Sequence, residues 1–324
     1  MRGYISLLFF CLAAASYGSL ANEFNRDDKF GPLQHHTQSP LHSSSLSPQL
    51  RSSLLSNSEF YISSVIGSVW ANTNTYQLDY YQNQFVIGSN WQVNDDWRLD
   101  VNYRWNYAGN NRLDGPTIYF HDIFNIDQNG RDRVDKDRFI IDMPDYGIHL
   151  DNFKGQSLSH TFTSYVQYQL YKERVMGISV GGPLHYSDTK HGILDTPRLE
   201  QGLQVNFSLR ERSYAMDASL ALTLRKHSST FQHIPYRESS FSLALGYRYY
   251  IGNAHTLLTQ FSIHQGITND ESELSKPINE FTLGYRFTCQ RTAVEFFITE
   301  NMFNADNSTD IALGLNVRYL YNQD

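Results

Sequence analysis

Long apolar runs, charge and cysteine are all scarce in this sequence of 324 residues. Beyond the N-terminus no apolar run reaches about twenty residues, and the mean hydropathy is −0.46, which excludes a membrane protein built from helices. Charged residues make up only 18% while aromatic residues make up 14%, a composition that disordered chains do not have. The net charge is −7 and no basic stripe occurs, so we expect no nucleic-acid partner. A soluble all-β protein and a membrane β-barrel are the classes that remain.

The first 21 residues have the pattern of a secretory signal peptide. Arg2 gives the positive start, residues 5–15 are apolar, and Ser19-Leu20-Ala21 is a small-x-small cleavage site. We therefore expect export through the Sec machinery. Cleavage would remove Cys11 and leave Cys289 alone, so the mature chain forms no internal disulfide.

Residues 22–57 are rich in Ser, His and Gln and contain three prolines, which break any regular pattern. We expect an irregular periplasmic segment that precedes the main domain, residues 58–324. From about residue 59 the sequence alternates between apolar and polar residues, which is the period of a β-strand. The clearest examples are 97–107, 203–209, 214–224, 241–251, 281–287 and 311–321.

Short and long connections alternate between these strands. Tight polar turns are predicted near 94–96, 172–174, 211–213, 252–254 and 289–291. The connections between them are 108–157, 187–200, 226–238, 266–277 and 302–308, with a short one near 71–74 that closes the first hairpin. This rhythm predicts an all-β fold, an antiparallel transmembrane β-barrel of about twelve strands with a long loop between strands 3 and 4. A soluble sandwich alternates too, but its loops show no such rhythm.

A barrel of this kind is expected in the outer membrane of a Gram-negative bacterium, with both chain ends in the periplasm. Its partners would be outer-membrane lipid, lipopolysaccharide and the barrel-assembly machinery, and the oligomeric state stays open. The alternation places a set of arginines on the inner face, where they would favour anions: Arg98, Arg104, Arg210, Arg248, Arg286 and Arg318.

Two stretches resemble a family of exported bacterial proteins known only as a domain of unknown function. The opening carries Gly31-Pro32-Leu33 and then Gln38-Ser39-Pro40-Leu41. The central signature is Phe120-His121-Asp122-Ile123-Phe124, followed by Asn129-Gly130-Arg131-Asp132 and Arg138-Phe139. The resemblance implies an outer-membrane-type barrel and no particular activity.

The charged block inside the long loop allows two interpretations. One is a metal loop, with calcium as the candidate ion, in which Gly130 permits a sharp turn and the oxygen ligands are Asp127, Asn129, Asp132, Asp135 and Asp137. The other is a salt-bridged loop that plugs or gates the lumen, with Arg131 held between carboxylates. We favour the second, because acidic loops are usually solvated or paired. The gate residues would be His121, Asp122, Gly130, Arg131, Asp132 and Arg138.

Three functions follow from this pattern. The favoured one is a narrow, plugged pore or transporter for small solutes, because a loop of this length is usually functional. The second is a barrel enzyme that acts on lipid or envelope material, with His121 as base and Asp122 as its orienting partner. It lacks a visible nucleophile, since residues 117–156 contain neither Ser nor Cys. The third is a structural role in the envelope.

Overall fold

The computed structural model describes residues 29–54, 57–124, 129–189, 197–225 and 234–322. The expected signal peptide, residues 1–21, lies outside these ranges. In the described part of the chain, no helix combines the length and the apolar character needed to cross a bilayer.

Twelve antiparallel strands form a closed barrel. The barrel strands are β1 (Ser58–Asn72), β2 (Gln77–Gln92), β3 (Trp97–Ala108), β6 (Ser157–Lys172), β7 (Met176–Thr189), β8 (Arg198–Arg210), β9 (Tyr214–Arg225), β10 (Ser239–Ile251), β11 (His255–His264), β12 (Ile278–Cys289), β13 (Thr292–Asn301) and β14 (Ile311–Asn322). Each barrel strand pairs with its neighbours in the order of the chain, and β1 closes the barrel by pairing with both β2 and β14. Closure leaves no unpaired edge, as a lipid environment requires. The predicted fold and its approximate strand number are confirmed.

Five short turns lie at one end of the barrel, and the other end carries the long connections together with the short turn at residues 73–76. We call these the short-turn end and the long-loop end. The largest connection, residues 109–156, is called the cap loop; it contains helix α1 (Asp114–Phe124) and a small hairpin, β4 (Ile140–Met143) and β5 (Ile148–Asp151). Strand β4 pairs with the start of β2, so the hairpin extends the sheet beyond the barrel rim.

The outer wall is apolar, as a lipid-facing surface must be. Leu203, Phe241 and Phe296 expose 66, 58 and 58% of their surface, although each lies within a paired strand. Near the short-turn end the exposed side chains include aromatic ones, for example Tyr285 and Tyr319. Exposure of this kind would be unfavourable in water, so the closed sheet is a transmembrane barrel of the outer-membrane type.

The inner wall is polar, but it does not enclose an open channel. Residues 29–54, which we call the plug, run inside the barrel, and from residue 30 onward all are buried except the half-buried Pro48 and Arg51. The plug contains no regular strand or helix. These residues were expected in the periplasm, but they lie inside the barrel. There the side chains of the polar wall replace water as the hydrogen-bond partners of an irregular chain.

Candidate functional site: the plugged lumen

The plug enters the barrel at the short-turn end, turns near the long-loop end and returns. Phe30 packs against Ala293 and Leu320, which begin and end strands at the short-turn end. At the turn, Leu41 joins an apolar cluster with residues of the cap loop and of the other long loops, among them Phe139, Ile267 and Leu274. The returning arm ends at Leu54, whose carbonyl accepts a hydrogen bond from Arg210 at 3.3 Å. The plug therefore passes along the lumen twice.

The incoming arm is held by a cluster of charged residues that we call the base cluster: Arg286, Arg318, Glu59 and Glu295. Arg318 contacts Glu59 at 2.7 Å and Glu295 at 3.1 Å, while Arg286 contacts Glu295 at 2.6 Å. The two guanidinium groups also donate to the carbonyls of Phe30, Gly31 and Pro32. Arg286 and Glu295 are direct partners across β12 and β13, so the pairing of the strands itself creates the ion pair.

The returning arm is held by a different set of wall residues. Arg51 of the plug pairs with Asp100 on β3 at 3.1 Å, and its guanidinium lies 4.6 Å from the ring centre of Tyr165. Ser53 places its Oγ 2.9 Å from that of Ser179, and its backbone N–H donates to Ser208 at 2.7 Å. Most of these bonds join wall side chains to plug atoms.

Glycines in the wall make room for the returning arm. A Cβ atom on Gly246 would stand 2.3 Å from Cδ2 of Leu50, and one on Gly177 would stand 2.7 Å from the carbonyl oxygen of Ser53. Both distances are far below ordinary van der Waals contact. At these positions the plug and the wall fit together only because no side chain is present.

The six predicted lumen arginines lie on strands, and their side chains alternate to the inner face. Arg104, Arg248, Arg286 and Arg318 are buried, while Arg98 and Arg210 are half-buried. The expected attraction for anions is mostly cancelled, since Arg248 pairs with Asp217 and the base cluster contains two glutamates. These ion pairs could not be predicted from the sequence, because each carboxylate faces its arginine from another strand.

The described residues in the first half of the cap loop lie outside the lumen. Side chains alternate along β1, and the inward positions include Glu59, so Ser68 and Trp70 belong to the outer face. Both are nevertheless buried, because the cap loop lies against them: Arg131 donates to Ser68, and Trp70 donates to the carbonyl of Asn129 at 3.3 Å. Gly130 and Arg131 therefore lie on the outside of the barrel rim and not over the lumen, whereas the second half of the loop packs through Phe139 against the turn of the plug at Leu41.

Arg131 fastens the cap loop to that rim. Its guanidinium contacts Asp114 at the start of α1 and Asp310 just before β14. Burial raises the pKa of Asp310 above its ordinary value even beside Arg131. For Asp114, burial is outweighed by the hydrogen bonds from Tyr81 and Arg131, and the pKa is lowered. The arginine joins two carboxylates as expected, but neither belongs to the predicted set.

A comparison with protein-family models identifies the sequence from residue 8 to residue 321 as "Protein of unknown function (DUF3187)". The chain belongs to this family. A comparison with curated proteins finds no match.

Solved structures with a similar fold are outer-membrane proteins. The COG4313 outer membrane channel from Pseudomonas putida F1 is 11% identical, with a TM-score of 0.49 over 85% of this chain and 100% of that one. The KdgM porin in complex with disordered oligogalacturonate is 7% identical, with a TM-score of 0.47 over 82% of this chain and 99% of that one. The CymD monoaromatic hydrocarbon channel is 9% identical, with a TM-score of 0.43 over 89% and 98%. At this identity the likeness concerns the fold alone.

The residues singled out as a possible catalytic pair do not form one. His121 is buried on α1, with its Nε2 atom 3.5 Å from Glu300 on β13. Asp122 is exposed on the same helix. Burial lowers the pKa of His121, but the hydrogen bond to Glu300 and the nearby Asp310 outweigh it, so the pKa is raised. A general base needs an imidazole that is open to substrate, whereas this one is buried beside Glu300.

The metal-loop residues are likewise not brought together. Asn129 donates to Asp306 at 2.8 Å, whereas Asp137 accepts a hydrogen bond from Tyr81 at 3.0 Å. Asp135 is exposed, Asp127 lies outside the described residues, and so does the side chain of Asp132. Across the described ranges, no three His, Cys, Asp or Glu side chains lie close enough to hold a metal ion.

The other gate residues have structural roles on the rim. Gly130 has a φ of +80°, a left-handed conformation that favours glycine, and it turns the chain toward Arg131. Arg138 contacts Asp79 on β2 at 3.5 Å. These contacts hold the cap loop in place.

Proposed function

We propose that this protein is an outer-membrane channel for small solutes that is closed by its own plug and opens when the plug is displaced. The observation that carries the proposal is the position of residues 29–54, which fill a polar lumen and are bound there by side chains of the wall. Side chains alone fill a barrel of about eight strands, whereas the wider lumen of this twelve-stranded barrel is closed by a separate segment of the chain.

The contacts between plug and wall are of a kind that water can replace. A typical hydrogen bond contributes about 0.5–1.5 kcal/mol, because the groups bond to water when they separate. The ion pairs Arg286–Glu295 and Arg248–Asp217 lie within the wall and stay intact without the plug. The empty lumen would thus be polar and internally neutralised over most of its length, as a water-filled channel requires.

The proposed setting follows from the same features. After removal of residues 1–21 and insertion by the barrel-assembly machinery, the short-turn end would face the periplasm. Helix α1 would then lie against the outer wall on the outside of the cell, with Tyr119 and Ile123 exposed by 68 and 58%. We propose that these side chains contact the lipopolysaccharide leaflet. A fluorophore at Tyr119→Cys should be quenched by lipid-borne quenchers, and full accessibility to water-soluble quenchers would contradict this.

The channel proposal is tested by a reversible disulfide between plug and wall. Ser53→Cys and Ser179→Cys, in a Cys289→Ser background, join two positions whose hydroxyl oxygens are 2.9 Å apart. In planar bilayers the reduced protein should show channel openings, because the plug is free to leave. The oxidised protein should show none, and reductant should restore them.

A matched control places the disulfide within the wall. Thr282 and Thr299 also have hydroxyl oxygens 2.9 Å apart, but they lie on β12 and β13. Their cysteine variant should conduct in both redox states. Currents that persist in the oxidised plug variant, or no current from any reduced variant, would refute a channel closed by the plug.

A further inference from the structure

One cavity inside the plugged barrel has an unusual lining. It measures about 20 Å³ and lies between the plug and strands β3, β6, β7 and β8. Such a volume holds a particle slightly larger than one water molecule. Its lining includes Arg104, His36, His185, Thr163, Gln204 and Arg51. No Asp or Glu is among the lining residues that belong to the described chain.

Arg104 is the cation of this cavity that lacks a carboxylate. Its Nε donates to Thr161 and its Nη2 to the carbonyl of Ser45, both at 3.2 Å. Its Nη1 has no hydrogen-bond partner among the described residues, although the side chain is 1% exposed. A buried guanidinium normally has a partner for each donor, because leaving one unsatisfied is costly.

The neighbouring charges do not neutralise Arg104. Arg51 is already paired with Asp100. Glu200 is the nearby carboxylate, and it binds Arg198 at 3.4 Å and Arg225 at 3.6 Å, besides the backbone N–H of Leu46 at 2.6 Å. Glu200 is therefore already engaged by two other arginines, and no carboxylate of the described residues forms an ion pair with Arg104.

We propose that this cavity is a binding site for a small monovalent anion of halide size, with Arg104 as its main ligand. The Nη1 atom of Arg104 supplies a positive charge and an unused hydrogen-bond donor for such an anion. No carboxylate among the described lining residues would repel the anion or compete with it for Arg104. The site exists in the closed barrel and does not depend on whether the protein conducts. When the plug leaves, Arg104 remains on the wall as a charge without a partner carboxylate, so the same residue would bind the anionic group of a passing solute.

The test measures chloride binding to the full chain refolded in detergent, by the broadening of the ³⁵Cl resonance. The wild type should broaden the line, bromide should displace the bound chloride, and the larger divalent sulfate should not. Arg104→Gln should abolish the excess broadening. Arg98→Gln is the matched control, because Arg98 lies on the same strand and the same inner face but outside the cavity, and it donates instead to Asn90 at 2.6 Å.

Arg104→Lys guards against a folding defect, since it keeps the charge and should retain part of the broadening. Folding of each variant is checked by heat-modifiable electrophoretic mobility. Unchanged broadening in Arg104→Gln, equal loss in Arg98→Gln, or displacement by sulfate as readily as by bromide would overturn the proposal. None of these results bears on the disulfide test of the plug, so the two proposals fail separately.

Discussion

The contact between Gly246 and Leu50 offers a way to push the plug out without altering any polar group. A Cβ at position 246 would lie 2.3 Å from Cδ2 and 3.8 Å from Cγ of Leu50. Carbon atoms in contact are about 3.5–4.0 Å apart, so Gly246→Ala brings the first pair too close by about 1.2 Å. Leu50 is 2% exposed, and the cavity that it lines together with Gly246 measures only about 10 Å³, the space of about one water molecule, so its side chain can yield only in part.

Overpacking of this kind typically costs about 1–3 kcal/mol. Since the strain exists only while the plug is inside, the whole cost acts on the equilibrium between closed and open barrel. A shift of that size changes the ratio of open to closed barrel about 5- to 150-fold. Gly246→Ala should therefore increase the opening probability in planar bilayers by a factor in this range. The wall strand itself should tolerate alanine, which gains no unfavourable backbone angle there.

A double-mutant cycle identifies the cause. Leu50→Ala alone should also increase opening, because the plug loses a buried side chain worth about 2–5 kcal/mol. With both substitutions the new methyl group meets the space that Leu50 has vacated, so the effects should be less than additive. Gly284→Ala is the control, because the three atoms nearest to a Cβ there belong to Phe296 and Leu258 of the wall, at the ordinary distance of 3.4–3.5 Å. Strict additivity, or an equal effect of the control, would refute the reasoning.

Two further predictions concern the cap loop. Arg131→Ala leaves two buried carboxylates without their ion-pair partner, a change that typically costs about 3–5 kcal/mol. Protease cleavage between 115 and 150 should therefore increase, while the heat-modifiable mobility of the barrel stays normal. Protection equal to that of the wild type would show that another contact holds the loop. The raised pKa of His121 means that its stabilising contribution is fully present below pH 6.5 and is lost as the pH rises through the raised value. Cleavage of the loop should hence be faster at pH 8 than at pH 6, and His121→Gln combined with Glu300→Gln, which removes both titrating partners of this contact, should abolish most of the difference; a pH dependence that survives the double substitution would assign it elsewhere.

The barrel strands were predictable because lipid imposes a simple rule on them. A strand with apolar residues on one face and polar residues on the other can lie between lipid and a polar lumen in only one way. The predicted 97–107 became Trp97–Ala108, and the predicted 311–321 became Ile311–Asn322. The inward direction of Arg286 and Arg318 followed from the same alternation.

The plug was not predictable from periodicity, because its partners are supplied by the wall and not by its own pattern. A different signal was present. Residues 30–50 contain no Asp, Glu, Lys or Arg, although they are rich in Ser, Gln and His. A segment that stays in water has no reason to avoid charge, whereas one that enters a closed lumen does, since buried charges need partners.

The role of Arg131 was predictable only in part. Its planar guanidinium and the carboxylates near it indicated a two-carboxylate contact. Asp310, however, is 179 residues further along the chain and reaches Arg131 only because β14 closes against β1. Contacts made by barrel closure are invisible to an argument based on one loop.

The missing charge of the plug also determines which forces can act on it. Moving one elementary charge through a potential of 100 mV takes about 2.3 kcal/mol, so a charged plug would respond to voltage like the sensor of an excitable channel. The plug carries two formal charges, Lys29 at its start and Arg51 near the end of the returning arm, and none between them. The rest of the segment travels without electrical work. A mechanical force on the plug or a competing ligand would therefore open this barrel. The potential across its membrane would have little effect on the position of the plug.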